Sequence, residues 1–136
     1  MKGKLTGTVT GSVAIPPHLF EYELPMLLFK DSGSMVVYCP PLDLSGYGKT
    51  IKEAQASFDT TLEIYLKETM DDNTLEEDLK SLGWNFIDNN PKPPELTKLA
   101  SSNRNLKKIL NKGTYTQKRK TIELPIGWQR QSGTYA

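Results

Sequence analysis

Hydrophobic and polar residues alternate from the start of the chain. In "KLTGTVTGSVAIP", Leu5, Gly7, Val9, Gly11, Val13 and Ile15 share one face and Thr6, Thr8, Thr10 and Ser12 the other. A period of two with β-branched residues predicts a strand, and Gly11-Ser12 offers a turn that would make it a short hairpin. After Pro16-Pro17, "FEYELPMLLF" alternates again, with Phe20, Tyr22, Leu24, Met26 and Leu28 opposing Glu21 and Glu23. Pro25 lacks a ladder donor, so this strand is expected to lie at an edge or to bend there. "KDSGS" reads as a hairpin turn. "MVVYC", apolar on both faces, reads as a central strand covered on each side.

Pro40-Pro41 ends that strand, Leu42 to Leu44 predict a further short one, and Gly46 and Gly48 predict turns beyond it. The clearest element is a helix over residues 50–68. Thr50 and Glu53 form a capping box at its start, and Ile51, Ala54, Phe58, Leu62, Tyr65 and Leu66 recur at helical spacing as one apolar stripe. That stripe is expected to lie on the sheet. "DDNTLEEDLKSLGW" predicts a shorter helix capped by Asn73 or Thr74, with Leu75, Leu79 and Leu82 inward and Gly83 as its stop. "WNFI" predicts a short strand. The prolines of "DNNPKPPE" break the pattern. Beyond them, residues 95–100 and 103–111 are weakly helical, and "KTIELPI" alternates as a last strand.

These elements predict an α+β fold: a small, mostly antiparallel sheet of three to five strands with one long helix packed across it, plus a basic C-terminal arm. Residue 90 is the expected boundary between a core domain of residues 1–90, with its N-terminal β extension, and an arm of residues 91–136. An arm of that length is too short for its own core, so it must dock, swap into a partner or stay mobile.

Composition narrows the function classes. The 136 residues, 37% hydrophobic and 24% charged, suit one globular core. A single cysteine, Cys39, cannot form an internal disulfide, which points to a reducing cytoplasm. No apolar run approaches the ~20 residues of a membrane helix, and no signal-peptide core follows Met1, so no membrane association is expected. The net charge of +1 hides an asymmetry. Residues 1–50 balance to zero; residues 51–90 hold three basic against ten acidic residues, and residues 91–136 ten basic against two acidic. Such a split is neutralised internally, by a second copy, or by an anionic partner.

Catalytic chemistry has few carriers. His18 is the only histidine, which leaves no histidine triad and only a remote dyad with Cys39; one cysteine and one histidine cannot hold zinc. "LSGYGKT" lacks the phosphate-loop spacing, because one residue separates Gly46 and Gly48 where four are required. Asp31 and Asp43 are the only sheet carboxylates placed for metal-assisted hydrolysis, and each falls in a turn. No catalytic residue, metal or cofactor is expected. The basic arm carries Arg104, Lys107 and Lys108 on a helical stretch, then Lys118, Arg119 and Lys120 in a run, a pattern suited to phosphate contacts. Tyr115 between the two groups is a residue able to stack on a base.

A strand ending in Tyr38, then Pro40, Pro41 and Leu42, the glycines Gly46 and Gly48, and Thr50, Glu53 and Ala54 opening a helix together resemble the signature of the HicB-like antitoxin family. The likeness covers residues 26–70. "DLSGYG" replaces the family's more usual turn, an extra β segment precedes the core, and the C-terminal region matches no DNA-binding module. The resemblance implies a degenerate RNase H-like fold without catalytic carboxylates, a homodimer or higher oligomer, and a non-enzymatic antitoxin that occludes a small basic RNA-cleaving toxin, HicA-like. It also implies a C-terminal segment that binds operator DNA as an autoregulator. On this reading the acidic outer surface, Asp59, Glu63, Asp71, Asp72, Glu76 and Glu77, meets the toxin. The alternatives are a nucleic-acid-binding regulator acting through the basic arm, a relic nuclease, or an oligomeric scaffold whose tail strand swaps between copies.

Overall fold

The computed structural model describes residues 19–87 and 90–126. The predicted N-terminal strand and His18 lie outside these residues. The elements run β1 (Leu19–Asp31), β2 (Ser34–Cys39), β3 (Leu44–Gly48), α1 (Ile51–Asp71), α2 (Leu75–Ser81), β4 (Asn85–Ile87), β5 (Asn90–Lys92), α3 (Leu96–Ser102), α4 (Arg104–Lys112) and β6 (Tyr115–Pro125). The fold is α+β. Four strands form an antiparallel sheet in the order β3-β2-β1-β6, and β4 and β5 form a separate two-stranded ribbon.

The β1–β2 hairpin closes through Ser32 and Gly33, with φ of 52° and 85°. Positive φ at both central residues is what a two-residue hairpin matched to strand twist demands, and "KDSGS" supplies it. β6 flanks β1 from Leu19 to Phe29, whereas β2 flanks it only from Leu27 to Asp31. Pro25 therefore sits where β1 has a neighbour on one side only, which tolerates its missing donor. β2 is central, and its two apolar faces are both covered: Val37 and Cys39 face one core, Val36 and Tyr38 the other.

Gly46 and Gly48 are not turn residues. They lie inside β3, and the turn falls earlier, over Pro40–Asp43, where the Leu42 N–H donates to the Cys39 carbonyl and the Asp43 N–H to the Pro40 carbonyl, both at 3.2 Å. Asp43 takes the left-handed conformation there, with φ 54°. The glycines serve packing. A Cβ at Gly46 would stand 2.3 Å from the Ala54 carbonyl oxygen and the Phe58 nitrogen, and one at Gly48 2.5 Å from the Glu53 Cβ. The backbone of α1 rests directly on the backbone of β3, an approach that no larger residue permits.

α1 extends to Asp71, one turn past the predicted end. Thr50 caps it, accepting from the Glu53 N–H at 3.1 Å; the Glu53 carboxylate reaches back to the Lys49 N–H at 2.9 Å, one residue before the usual capping-box partner. Ala54 and Phe58 are buried against the sheet, with Ile51, Leu62, Tyr65 and Leu66 packed around them. α2 follows over the expected residues, with Thr74 at its N-cap position but no side-chain cap bond: Leu75 and Leu79 fill the same core, and Gly83 with φ 101° ends the turn. Trp84 closes this layer, its indole N–H donating to the Pro41 carbonyl at 2.8 Å and its ring meeting Tyr22 edge-on at 5.0 Å.

The proline-rich break contains a strand after all. Pro91 lies in β5, and a two-stranded ribbon needs only one ladder, so its missing N–H costs little. Residues beyond 90 dock on the sheet. α3 and α4 bury Leu99 and Leu106 against Leu27, Val36 and Tyr38 on the face opposite α1. β6 begins at Tyr115, earlier than the apolar alternation predicts, because its first half is a solvent-exposed edge that has no reason to carry apolar residues.

Replacing Gly46 with Ala should lower the urea-unfolding free energy by about 3 kcal/mol, the upper end of overpacking costs, because the clash is with helix backbone that cannot rotate away. Thr50→Ala should cost about 1 kcal/mol in the same measurement, as expected for loss of a helix cap.

Candidate functional site

The corner from Tyr38 to Ala54 brings all nine signature residues together, and its hydrogen bonds define its role. The Tyr38 hydroxyl donates to the Asp43 carboxylate at 2.7 Å and accepts from the Asn103 amide at 2.9 Å. Asn103 in turn caps α4, its side-chain oxygen accepting from the Leu106 N–H at 3.0 Å. Burial raises the Tyr38 pKa, Asp43 raises it further, and Asn103 opposes them. A phenol held neutral between a carboxylate and a helix cap ties the β2–β3 turn to the C-terminal helices. Pro40, Pro41 and Leu42 are buried, and Leu42 belongs to the same core as Trp84. The Tyr38 end of the corner is thus a joint between layers.

Cys39 is wholly buried, and desolvation pushes its thiol from the usual 9.0 up to about 12. At neutral pH it is a protonated apolar side chain with no nucleophilic character. Asp31 and Asp43 stand at opposite ends of β2 and cannot share a metal. Among the described residues no group of three or more His, Cys, Asp or Glu is placed to hold a metal ion, and no helix is long and apolar enough to cross a membrane.

The acidic residues predicted to meet a partner are carried by α1, α2 and the bend between them. Asp59, Glu63, Asp71, Asp72 and Glu77 are exposed and Glu76 is half-buried. Three of the six have cations close by: Lys120 lies 3.4 Å from Asp59, Lys67 3.2 Å from Asp71, and Lys80 3.6 Å from Glu76. Glu63, Asp72 and Glu77 have no cation within 4 Å among the described residues. Surface pairs of this kind hold little energy, and the uncompensated negative charge of this surface rests on Glu63, Asp72 and Glu77. The bend itself is ordered from inside. Tyr65 donates to Asp78, joining α1 to α2, and burial and Asp78 both raise its pKa.

The six basic residues do not form one surface. Arg104, Lys107 and Lys108 are exposed on α4, which covers one face of the sheet. Lys118 and Lys120 pair with Met26 and Leu24 and so point to the α1 side, where Lys120 meets Asp59. Arg119 faces the other way, and its guanidinium donates to the Glu23 carbonyl at 2.9 Å. Strand alternation splits a run that is continuous in sequence. Its three charges line the outer edge strand, where they also discourage edge-to-edge pairing. Tyr115 is half-buried against the second core, beside Phe29.

Sequence reading missed the Tyr38–Asn103 and Trp84–Pro41 links. Asn103 was legible as the polar residue preceding "RNLKKIL", in cap position; its tyrosine partner lies 65 positions away and left no local trace. No family model, curated protein or solved structure matches this chain.

Cys39, Tyr22, Tyr38 and Tyr65 all have folded-state pKa values above their unfolded ones, with Cys39 moving from 9.0 to about 12 and Tyr22 from 10.0 to about 12. Each folded group holds its proton longer, so the associated stability is complete below pH 9 and is lost as pH rises through the folded values. Thermal melts should hold steady from pH 7 to pH 9 and fall steeply between about pH 10 and 12. At pH 8 the native chain should resist a thiol reagent that labels the urea-unfolded chain within minutes; equally fast labelling of both would contradict the burial of Cys39.

Proposed function

We propose that this chain is a non-enzymatic, antitoxin-like protein of HicB-like, degenerate RNase H-like type. It occludes a small basic RNA-cleaving protein through the acidic surface of α1 and α2. The supporting observation is the arrangement of that surface: one long helix, fixed on the sheet by its apolar stripe, turns Asp59 and Glu63 outward, and the bend and α2 continue the acidic face through Asp72 and Glu77. A basic RNA-binding protein is the natural complement of such a field, which speeds encounter and fixes orientation.

Homodimer formation and operator contacts by Arg104, Lys107 and Lys108 belong to the same proposal. The exposed faces of these three residues on one helix favour α4 over the β6 run as the phosphate-contacting element.

Co-expression with the product of the adjacent reading frame should give a one-step complex with a small basic protein that dissociates as salt rises. The triple variant Glu63→Lys, Asp72→Lys, Glu77→Lys, confined to exposed positions, should fold normally and weaken that complex at least tenfold at 100 mM salt, about 1.4 kcal/mol. Unchanged affinity would exclude this surface as the interface, and recovery of the tagged chain alone would overturn the proposal.

A further inference from the structure

The face of the sheet opposite α1 is only partly covered. α3 and α4 bury its centre, and at the hairpin end a cleft of about 320 Å³ opens between α4 and the strands. That volume lies at the lower end of small-molecule sites and is of the size of one nucleotide. Its strand wall carries the aromatic rings of Phe29, Tyr38 and Tyr47 together with Lys30 and Ser45, and Tyr47 is 60% exposed on the edge strand β3. Its helix wall is polar and cationic. Asn105, Lys108 and Lys112 are spaced three and four apart, so they line one side of α4 and face the cleft together.

Neither lysine has a carboxylate within 4 Å among the described residues. One acid, Asp31, borders the same cleft, and its carboxylate accepts from the Ser32 hydroxyl at 3.3 Å. An exposed aromatic ring opposite two unpaired lysines has a definite chemical complement: a flat π-face joined to a phosphate. An apolar ligand would strand the lysines, and an acidic peptide would leave Tyr47 unused.

We propose that this cleft binds a nucleotide unit, the base stacking on Tyr47 and the phosphate held by Lys108 and Lys112. Asn105 supplies donor and acceptor groups for the base edge. The site lies on the other side of the sheet from the acidic α1 and α2 surface and does not depend on the role proposed for that surface. A free nucleotide and a nucleotide within a single strand present the same chemistry, and two probes separate them.

Binding of fluorescein-labelled hexa-adenylate RNA to the full chain, read by anisotropy, and of AMP, read by calorimetry, gives the test. Tyr47→Ala should weaken either ligand about tenfold, while Tyr47→Phe should retain affinity within twofold. Lys108→Ala with Lys112→Ala should reduce the slope of log K against log salt for the RNA by about 0.7, the value for one phosphate contact. Asp31→Asn should tighten binding two- to threefold. Lys52→Ala with Lys67→Ala, on α1 across the sheet, should change nothing. Binding of RNA at least tenfold tighter than AMP assigns the site to a single strand, and comparable affinities assign it to the free nucleotide. All the altered side chains border solvent, and matching circular dichroism melts establish that each variant is folded. No binding of either probe at 1 mM, or binding indifferent to Tyr47→Ala, overturns the proposal.

Discussion

The molecule depends on the close approach of one helix to one edge strand. Gly46 and Gly48 remove the side chains that would hold α1 away from β3, so backbone meets backbone and Ala54 and Phe58 reach the sheet. That approach fixes the helix in rotation as well as in distance. With the small residue Ala54 at the crossing, Phe58 one turn on and Leu62 beyond, the apolar stripe can face only inward, and the acids at 59 and 63 can face only outward. The cap at Thr50 acts at the same point. It starts the helix immediately after Gly48, leaving the chain no slack with which to choose another angle.

The second organising feature is that the central strand is apolar on both sides. A helix on one face would leave Val36 and Tyr38 in water, and the C-terminal third of the chain removes that cost by laying α3 and α4 over them. Tyr38 joins the two layers, since its ring packs in the second core while its hydroxyl holds the turn at Asp43 and the helix cap at Asn103. The polar groups of Tyr38, Asp43 and Asn103 are therefore spent on architecture.

Charge follows the layers. The acidic segment forms α1 and α2 on one side of the sheet, and the basic segment supplies α4 on the other. Among the described residues the ion pair between them is Lys120 on β6 with Asp59 at 3.4 Å, an exposed pair of small energetic weight. The charge imbalance visible along the chain follows the layers only in part, since Lys118 and Lys120 of the basic segment point to the α1 side.

Local rules accounted for much of this. Alternation located β1, a run apolar on both faces located β2, Asp-Ser-Gly placed the hairpin, the capping residues and apolar stripe placed α1, and the leucine spacing placed α2, because strand period, turn chemistry and helix caps act over a few neighbouring residues. What needed tertiary structure was anything decided by distant partners. Gly46 and Gly48 look like turn residues until a helix backbone is seen against them. β6 starts well before its apolar alternation, because pairing with β1 orders a polar edge that no local pattern marks. The run Lys118–Lys120 is one patch in sequence and two directions in space, since a strand alternates its side chains. The cleft between Tyr47 and Lys108 joins residues more than half the chain's element order apart. Composition and period determined which segments fold and which faces are apolar; only the packed sheet decided which residues stand together, because that depends on contacts whose partners lie far away in the chain.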